Sequence, residues 1–103
     1  MINLTILKSN DAITTIQAKG HSGCAEAGQD IVCSAISTIM QTTLIGLTEV
    51  VKTNVDYEID ENIPFMRISV SAGDKQAQLL MKTAYLAVKQ IAGDYKNYIK
   101  IKE

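Results

Sequence analysis

The side chains best suited to nucleophilic or proton-transfer chemistry near neutral pH in this chain are one histidine and two cysteines, and all three fall between His21 and Cys33. The surrounding run, Gly20-His21-Ser22-Gly23-Cys24-Ala25-Glu26-Ala27-Gly28-Gln29-Asp30-Ile31-Val32-Cys33, also holds three of the six glycines. A thiol at a helix start, with an imidazole on the loop before it, has the parts of a thiol nucleophile and its base. With Asp30 as the helix N-cap, Cys33 falls at the third helical position, where its backbone N–H is one of the unpaired donors. The positive end of the helix dipole favours a thiolate there. Such positions lower a thiol pKa from ~8.5 to ~3.5–7.5. The same N–H groups suit an oxyanion formed by attack on a carbonyl.

His21 is suited to carry the proton. Asp30 cuts both ways: its charge raises the thiol pKa, or it orients His21 as a third triad member would. Ser37 lies one turn beyond Cys33 on the same helix face and can either hydrogen-bond the site or cap a neighbouring carbonyl. Gly20, Gly23 and Gly28 would let the loop move over a substrate, or serve as ordinary turn formers. Plainer readings use the same residues. A cysteine in an apolar helix is usually a small buried hydrophobe, and a lone histidine in a Gly-rich loop is often surface. His21, Cys24, Asp30 and Cys33 fit no standard zinc spacing and offer three N/S ligands, so neither a metal nor another cofactor is expected. A phosphate cradle would want a Gly-Lys-Ser/Thr ending that is absent, and Asp30 would repel the anion. A Cys24–Cys33 disulfide would silence the nucleophile.

The elements that must position these groups follow from hydrophobic period. Ile2 to Lys8 alternates as a half-buried strand, Ser9-Asn10-Asp11 is a turn, and Ile13 to Lys19 pairs back as a hairpin. Gly20 to Gln29 is loop by composition. From Asp30, the positions Val32, Ala35, Ile36, Ile39, Met40, Leu44, Leu47, Val50 and Val51 keep helical spacing to about Lys52. Ile31 and Ile45 fall on the other face, which a homodimer partner or a wrapping sheet would cover. Asn54 to Glu61 reads as a strand with Asp56, Glu58 and Asp60 on one acidic face. Residues 61–64 turn, and Phe65 to Ala72 returns. Asp74 caps a second helix whose stripe runs Ala77, Leu80, Met81, Ala84, Tyr85, Val88, Ile91 and Ala92, with Gly93 as its stop. Tyr95 to Glu103 is a last strand or a packed extension. The predicted fold is α+β: a two-layer β-β-α-β-β-α domain over residues 1–103, with two helices on one face of a mostly antiparallel sheet and room for a final β.

Composition agrees with a globular domain: 103 residues, 47% apolar and 20% charged. A net charge of −1 gives no general pull toward nucleic acid. No signal-peptide pattern and no run of about 18 apolar residues is read, and two cysteines do not make a secreted disulfide scaffold. The expectation is a cytoplasmic domain with reduced thiols and no membrane contact.

Gly20-His21, then Gly28, then Asp30-Ile31-Val32-Cys33 with Ser37 after it, resembles the ribosomal-processing cysteine protease family, Prp, or YsxB-like, over the whole chain. The resemblance implies a Cys33–His21 catalytic dyad. It implies removal of an N-terminal extension from bacterial ribosomal protein L-twenty-seven after a hydrophobic, Phe-rich motif. It also implies a homodimer and a Gly-rich loop that orders around the substrate peptide. By position, Gly20, His21, Gly28, Asp30, Cys33 and Ser37 carry it over. Cys24 and Ser34 depart from the family pattern, which more often has a bulky residue and Ala there. The alternative is a non-catalytic ribosome-associated binding module whose tail, Lys96, Lys100 and Lys102 with Tyr95 and Tyr98, touches RNA, against which the neutral net charge argues. The acidic strand suits a basic segment after the cut, or is a solvated face.

Overall fold

Ile2, Leu4 and Ile6 are buried on one side of β1 (Ile2–Ser9), as their alternation predicts. The computed structural model in which they lie describes residues 1–20, 27–60, 62 and 64–103, with the backbone alone for 27–30. Asn10, with φ 56°, turns the chain tightly into β2 (Ala12–Lys19); asparagine tolerates this left-handed conformation. β2 does not alternate strictly, because Ile13 and Ile16 are both buried. The pairing explains this. Leu7 opposes Thr15 and Lys8 opposes Ile13, so Thr14 is the extra residue of a bulge that resets which side faces the core.

β3 (Val55–Asp60) and β4 (Phe65–Val70) form a second antiparallel hairpin, and β5 (Ile99–Lys102) runs parallel to β1. The sheet order is β3-β4-β2-β1-β5. Two helices, α1 (Ala27–Ile45) and α2 (Lys75–Asp94), pack together over its buried side. This is the expected two-layer α+β domain with the final strand included. The parallel β1–β5 pair makes the sheet mixed.

Three local expectations are corrected. α1 starts at Ala27, so Asp30 lies inside the first turn and is not the N-cap, and Cys33 sits in the second turn. Ala27 is a strong helix former, and an aspartate is favoured within the first turn by the dipole. The Cys33 N–H is therefore not one of the unpaired donors of the helix start. Gly93 does not stop α2, which runs to Asp94 and closes through a bond from the Tyr95 N–H to the Ile91 carbonyl. Finally, Ile31–Val50 is long and apolar enough by composition to cross a membrane, with a mean hydropathy of 1.5. In this fold its Val32, Ile36, Met40 and Leu47 belong to the core.

The end of α1 widens into a π-helical stretch, Gly46–Val50, with the Val51 N–H reaching back to the Gly46 carbonyl at 2.9 Å. Gly46 lies where the helices touch: a Cβ there would meet Leu80 Cδ1 at 2.9 Å. Asp74 caps α2 as expected, accepting from the Ala77 N–H at 3.0 Å, and also accepts the Thr53 hydroxyl.

Two polar clamps tie α2 to the sheet. β4 does not pair beyond Thr15, and there the Gln78 amide stands in for a strand. It accepts from the Ile13 N–H at 2.8 Å and donates to the Ile13 carbonyl at 2.9 Å. At the far edge, Glu103 after β5 accepts from Lys8 Nζ at 2.9 Å and from the Tyr85 hydroxyl, with Lys89 Nζ 3.5 Å away. Hydrogen bonds from Lys8 and then Tyr85 pull the Glu103 carboxyl down to about 2.

Gln78→Met is expected to strand both Ile13 backbone groups and destabilise the fold by about 1–3 kcal/mol in denaturant titration. A depressed carboxyl pKa stabilises the fold above its unfolded pKa, and that stability is lost as pH falls toward the folded value. Glu103→Gln should therefore lower Tm at pH 7, and the difference from wild type should shrink between about pH 4.5 and about pH 2, as followed by circular dichroism melts.

Candidate active site

α1 presents adjacent rows of side chains. Val32, Ile36 and Met40, four residues apart, are buried against the sheet. One residue on, and roughly 100° around the helix, come Cys33, Ser37 and Gln41. These three line a cleft of about 710 Å³. Ile2, Ala18 and Met66 contribute from the sheet, and Ile59, Asp60, Pro64 and Phe65 from the β3–β4 hairpin. The lining is mostly apolar, with the thiol, a hydroxyl, an amide and a carboxylate set into it. Cys33 is half-buried and packs on the core, while Ser37 and Gln41 are exposed. Gln41 Nε2 donates to Ser37 Oγ at 2.9 Å. Asp60 Oδ1 accepts the Asn62 N–H at 2.9 Å.

Gly20 lines the same cleft at the end of β2. Its φ of +83° and a Met1 carbonyl 2.9 Å from where a Cβ would stand leave room for glycine alone, and its N–H donates to the Pro64 carbonyl at 2.9 Å. Gly20 therefore has a structural task besides any in a loop: it pins β2 to the hairpin that forms the opposite wall.

Of the residues singled out in the sequence, Cys33, Ser37 and Gly20 are brought together on one cleft. Gly28 and Asp30 lie on the backbone of α1's first turn, and the Asp30 side chain lies outside the described residues. His21, Gly23 and Cys24 lie outside the described residues, and with them the Cys24–Cys33 disulfide question. Among the described residues no three His, Cys, Asp or Glu side chains gather as a metal site would require. Sequence reasoning missed Gln41, although it continues the Cys33-Ser37 step of four. It also missed that Asp60 stands apart from its strand neighbours: Asp56 and Glu58 lie 3.3 and 3.8 Å from Arg67 on β4, whereas Asp60 lines the cleft.

A family model described as cysteine protease Prp matches residues 1–100. The chain belongs to the Prp cysteine protease family. Named ribosomal processing cysteine proteases Prp are similar to it along nearly their whole length. The Mycoplasma genitalium protein is 28% identical, covering 95% of this chain and 96% of its own. The Bacillus subtilis protein is 27% identical, covering 98% and 96%. Among solved structures, Staphylococcus aureus Prp with a covalently linked product peptide superposes with a TM-score of 0.87 at 25% identity, covering 99% of this chain and 98% of that one. A Streptococcus mutans protein matches with a TM-score of 0.89 at 26% identity, covering 99% and 92%. In this Prp family member the apolar cleft with a thiol on its wall is therefore the candidate active site.

Gly20→Ala should cost about 1–3 kcal/mol of stability from the positive φ alone. Differential scanning calorimetry is expected to show a lower Tm, with peptide cleavage reduced alongside it.

Proposed function

We propose that this protein is a cysteine endopeptidase that removes the N-terminal extension of bacterial ribosomal protein L-twenty-seven after a hydrophobic, Phe-rich motif. The observation that carries this reading is the half-buried thiol of Cys33 on the wall of a largely apolar cleft. Such a cleft takes an extended apolar peptide and keeps water from the reacting groups. The name ribosomal processing cysteine protease borne by the relatives, and the product peptide covalently linked to the Staphylococcus aureus one, support it.

Cys33 is the nucleophile and His21 the proton carrier. His21 follows directly on Gly20, which lines the cleft. The imidazole takes the Sγ–H proton, and the thiolate attacks the scissile carbonyl carbon. The C–N bond then breaks, and His21 returns the proton to the leaving amine. Water attacks the resulting thioester, His21 takes its proton, and the thiol leaves protonated. Asp30 orients His21, and Ser37 supports the thiol. No cofactor enters the scheme.

We also infer a cytoplasmic homodimer, with no membrane or direct nucleic-acid partner. Ile31 and Ile45, each 57% exposed on α1, are apolar side chains that a second copy would cover, Ile45 at the rim of the cleft. Tyr95 and Tyr98, the stacking groups of the RNA-binding alternative, are half-buried against the core, which speaks against it.

Incubation with a Phe-rich extension peptide, followed by mass spectrometry, tests the reading. Wild type is expected to release one amino-terminal fragment, Cys33→Ala none, and Cys24→Ala much of the wild-type yield. Cleavage by Cys33→Ala at the wild-type rate would refute the mechanism.

A further inference from the structure

β3 ends the sheet: among the described residues, β4 is the strand it pairs with. Asp56, Tyr57, Glu58 and Ile59 are all exposed, so both faces of the strand are open. In an edge strand every second residue turns its backbone N–H and C=O away from the sheet. Along the six residues of β3 these groups form a row about 20 Å long that an incoming chain can pair with. The register assigns the side chains. Tyr57 and Ile59 stand opposite Ile68 and Met66, on the side of the sheet that carries the core. Tyr57 is 51% and Ile59 49% exposed, although Ile68 and Met66 are buried. A further strand would cover both.

Asp56 and Glu58 take the opposite face, with Arg67 3.3 and 3.8 Å away. One guanidinium shared by two exposed carboxylates leaves this face acidic. Such charge keeps the edge from pairing with its own copy, where acid would stand against acid. It favours a strand that alternates apolar and basic residues. The edge is also continuous with the cleft. Ile59 and Asp60 are successive residues, whose side chains leave opposite faces of a strand, yet both line the cleft. The cleft therefore reaches round the end of β3, and a peptide lying in it can pass onto the strand edge without leaving the protein surface.

We propose that the open edge of β3 is a docking strand for the substrate. The segment on the carboxyl side of the scissile bond adds to it as a further strand, with apolar side chains over Tyr57 and Ile59 and basic ones over Asp56 and Glu58. Main-chain hydrogen bonds supply affinity, and the alternate side chains supply selectivity. The inference rests on the reading of this protein as an endopeptidase for a ribosomal protein. The carboxyl-side segment is the part that stays with the ribosome, and a segment that lies on rRNA phosphates is rich in Lys and Arg. The extension is discarded, and its apolar motif suits the apolar cleft. β5 of a second copy, with exposed Lys100 and Lys102, would match the charge as well. That pairing joins unlike edges head to tail and builds an open array, not a closed dimer.

The test uses extension peptides that are identical through the apolar motif and differ in the tail after the cut. One tail carries Lys at alternate positions and one carries Gln there. The Lys tail is also made with N-methyl groups on one or the other alternate set of its amides. At low salt the Lys tail is expected to lower KM about fivefold relative to the Gln tail, the scale of two exposed ion pairs, with kcat unchanged. The advantage should vanish in an Asp56→Asn, Glu58→Gln double variant and shrink at about 0.5 M NaCl. N-methylation should raise KM for one set of amides and not for the other, because only alternate N–H groups of an added strand face β3. Equal KM for the Lys and Gln tails, or an equal effect of the two methylated sets, would overturn the inference while leaving the protease reading intact. Open-ended growth in sedimentation velocity that the double variant abolishes would assign the edge to a second copy and overturn it too. Cleavage of none of these peptides would overturn both.

Discussion

The burial of Val32, Ile36 and Met40 against the sheet fixes how α1 is turned about its own axis. An α-helix offers no independent choice for the neighbouring row: once these three face the core, Cys33, Ser37 and Gln41 must turn into the cleft. Rotation by one residue would carry the thiol into the core or out to solvent. The chemistry of the site is thus set by hydrophobic packing one position away, and a loss of volume at Ile36 or Met40 would disturb the thiol without touching it.

The opposite wall is held by different means. Gly20 joins β2 to the hairpin through a backbone bond that only a glycine can make at that angle and distance. Further along β2, the Gln78 clamp and the bulge at Thr14 keep Ile13 and Ile16 on one side, both buried in the core. Gly46 lets α1 approach α2 closely, and the π-helical stretch after it keeps Leu47 in the core. Glu103, shared among Lys8, Tyr85 and Lys89, fastens the last strand far from the cleft.

Much of this was legible in the chain. Alternation points to β1, β3 and β4, β-branched composition to β2, helical spacing to both helices, and Asp74 to the start of α2. The rest depended on forces that a period does not record. The bulge at Thr14 is a pairing property, visible only once Lys8 meets Ile13. Aspartate is a good cap and points to Asp30 as the start of α1, yet helix propensity at Ala27 and the dipole's tolerance of an acid in the first turn carry the helix further back. Gly93 looked like a stop but lies within the last turn of α2, without a left-handed backbone. At the site, Cys33, Ser37 and Gly20 were named from the sequence and meet on one cleft. Asp60 could not be separated from Asp56 and Glu58 until Arg67 was seen beside the other two.

The central claim is that the row fixed by core packing presents Cys33 as the reacting thiol. Rapid acid quenching during turnover of an extension peptide, followed by tandem mass spectrometry of the digested protein, tests it most directly. The account predicts an acyl adduct on Cys33 whose added mass is that of the amino-terminal peptide fragment less water. Turnover with the adduct on Cys24 instead would contradict it.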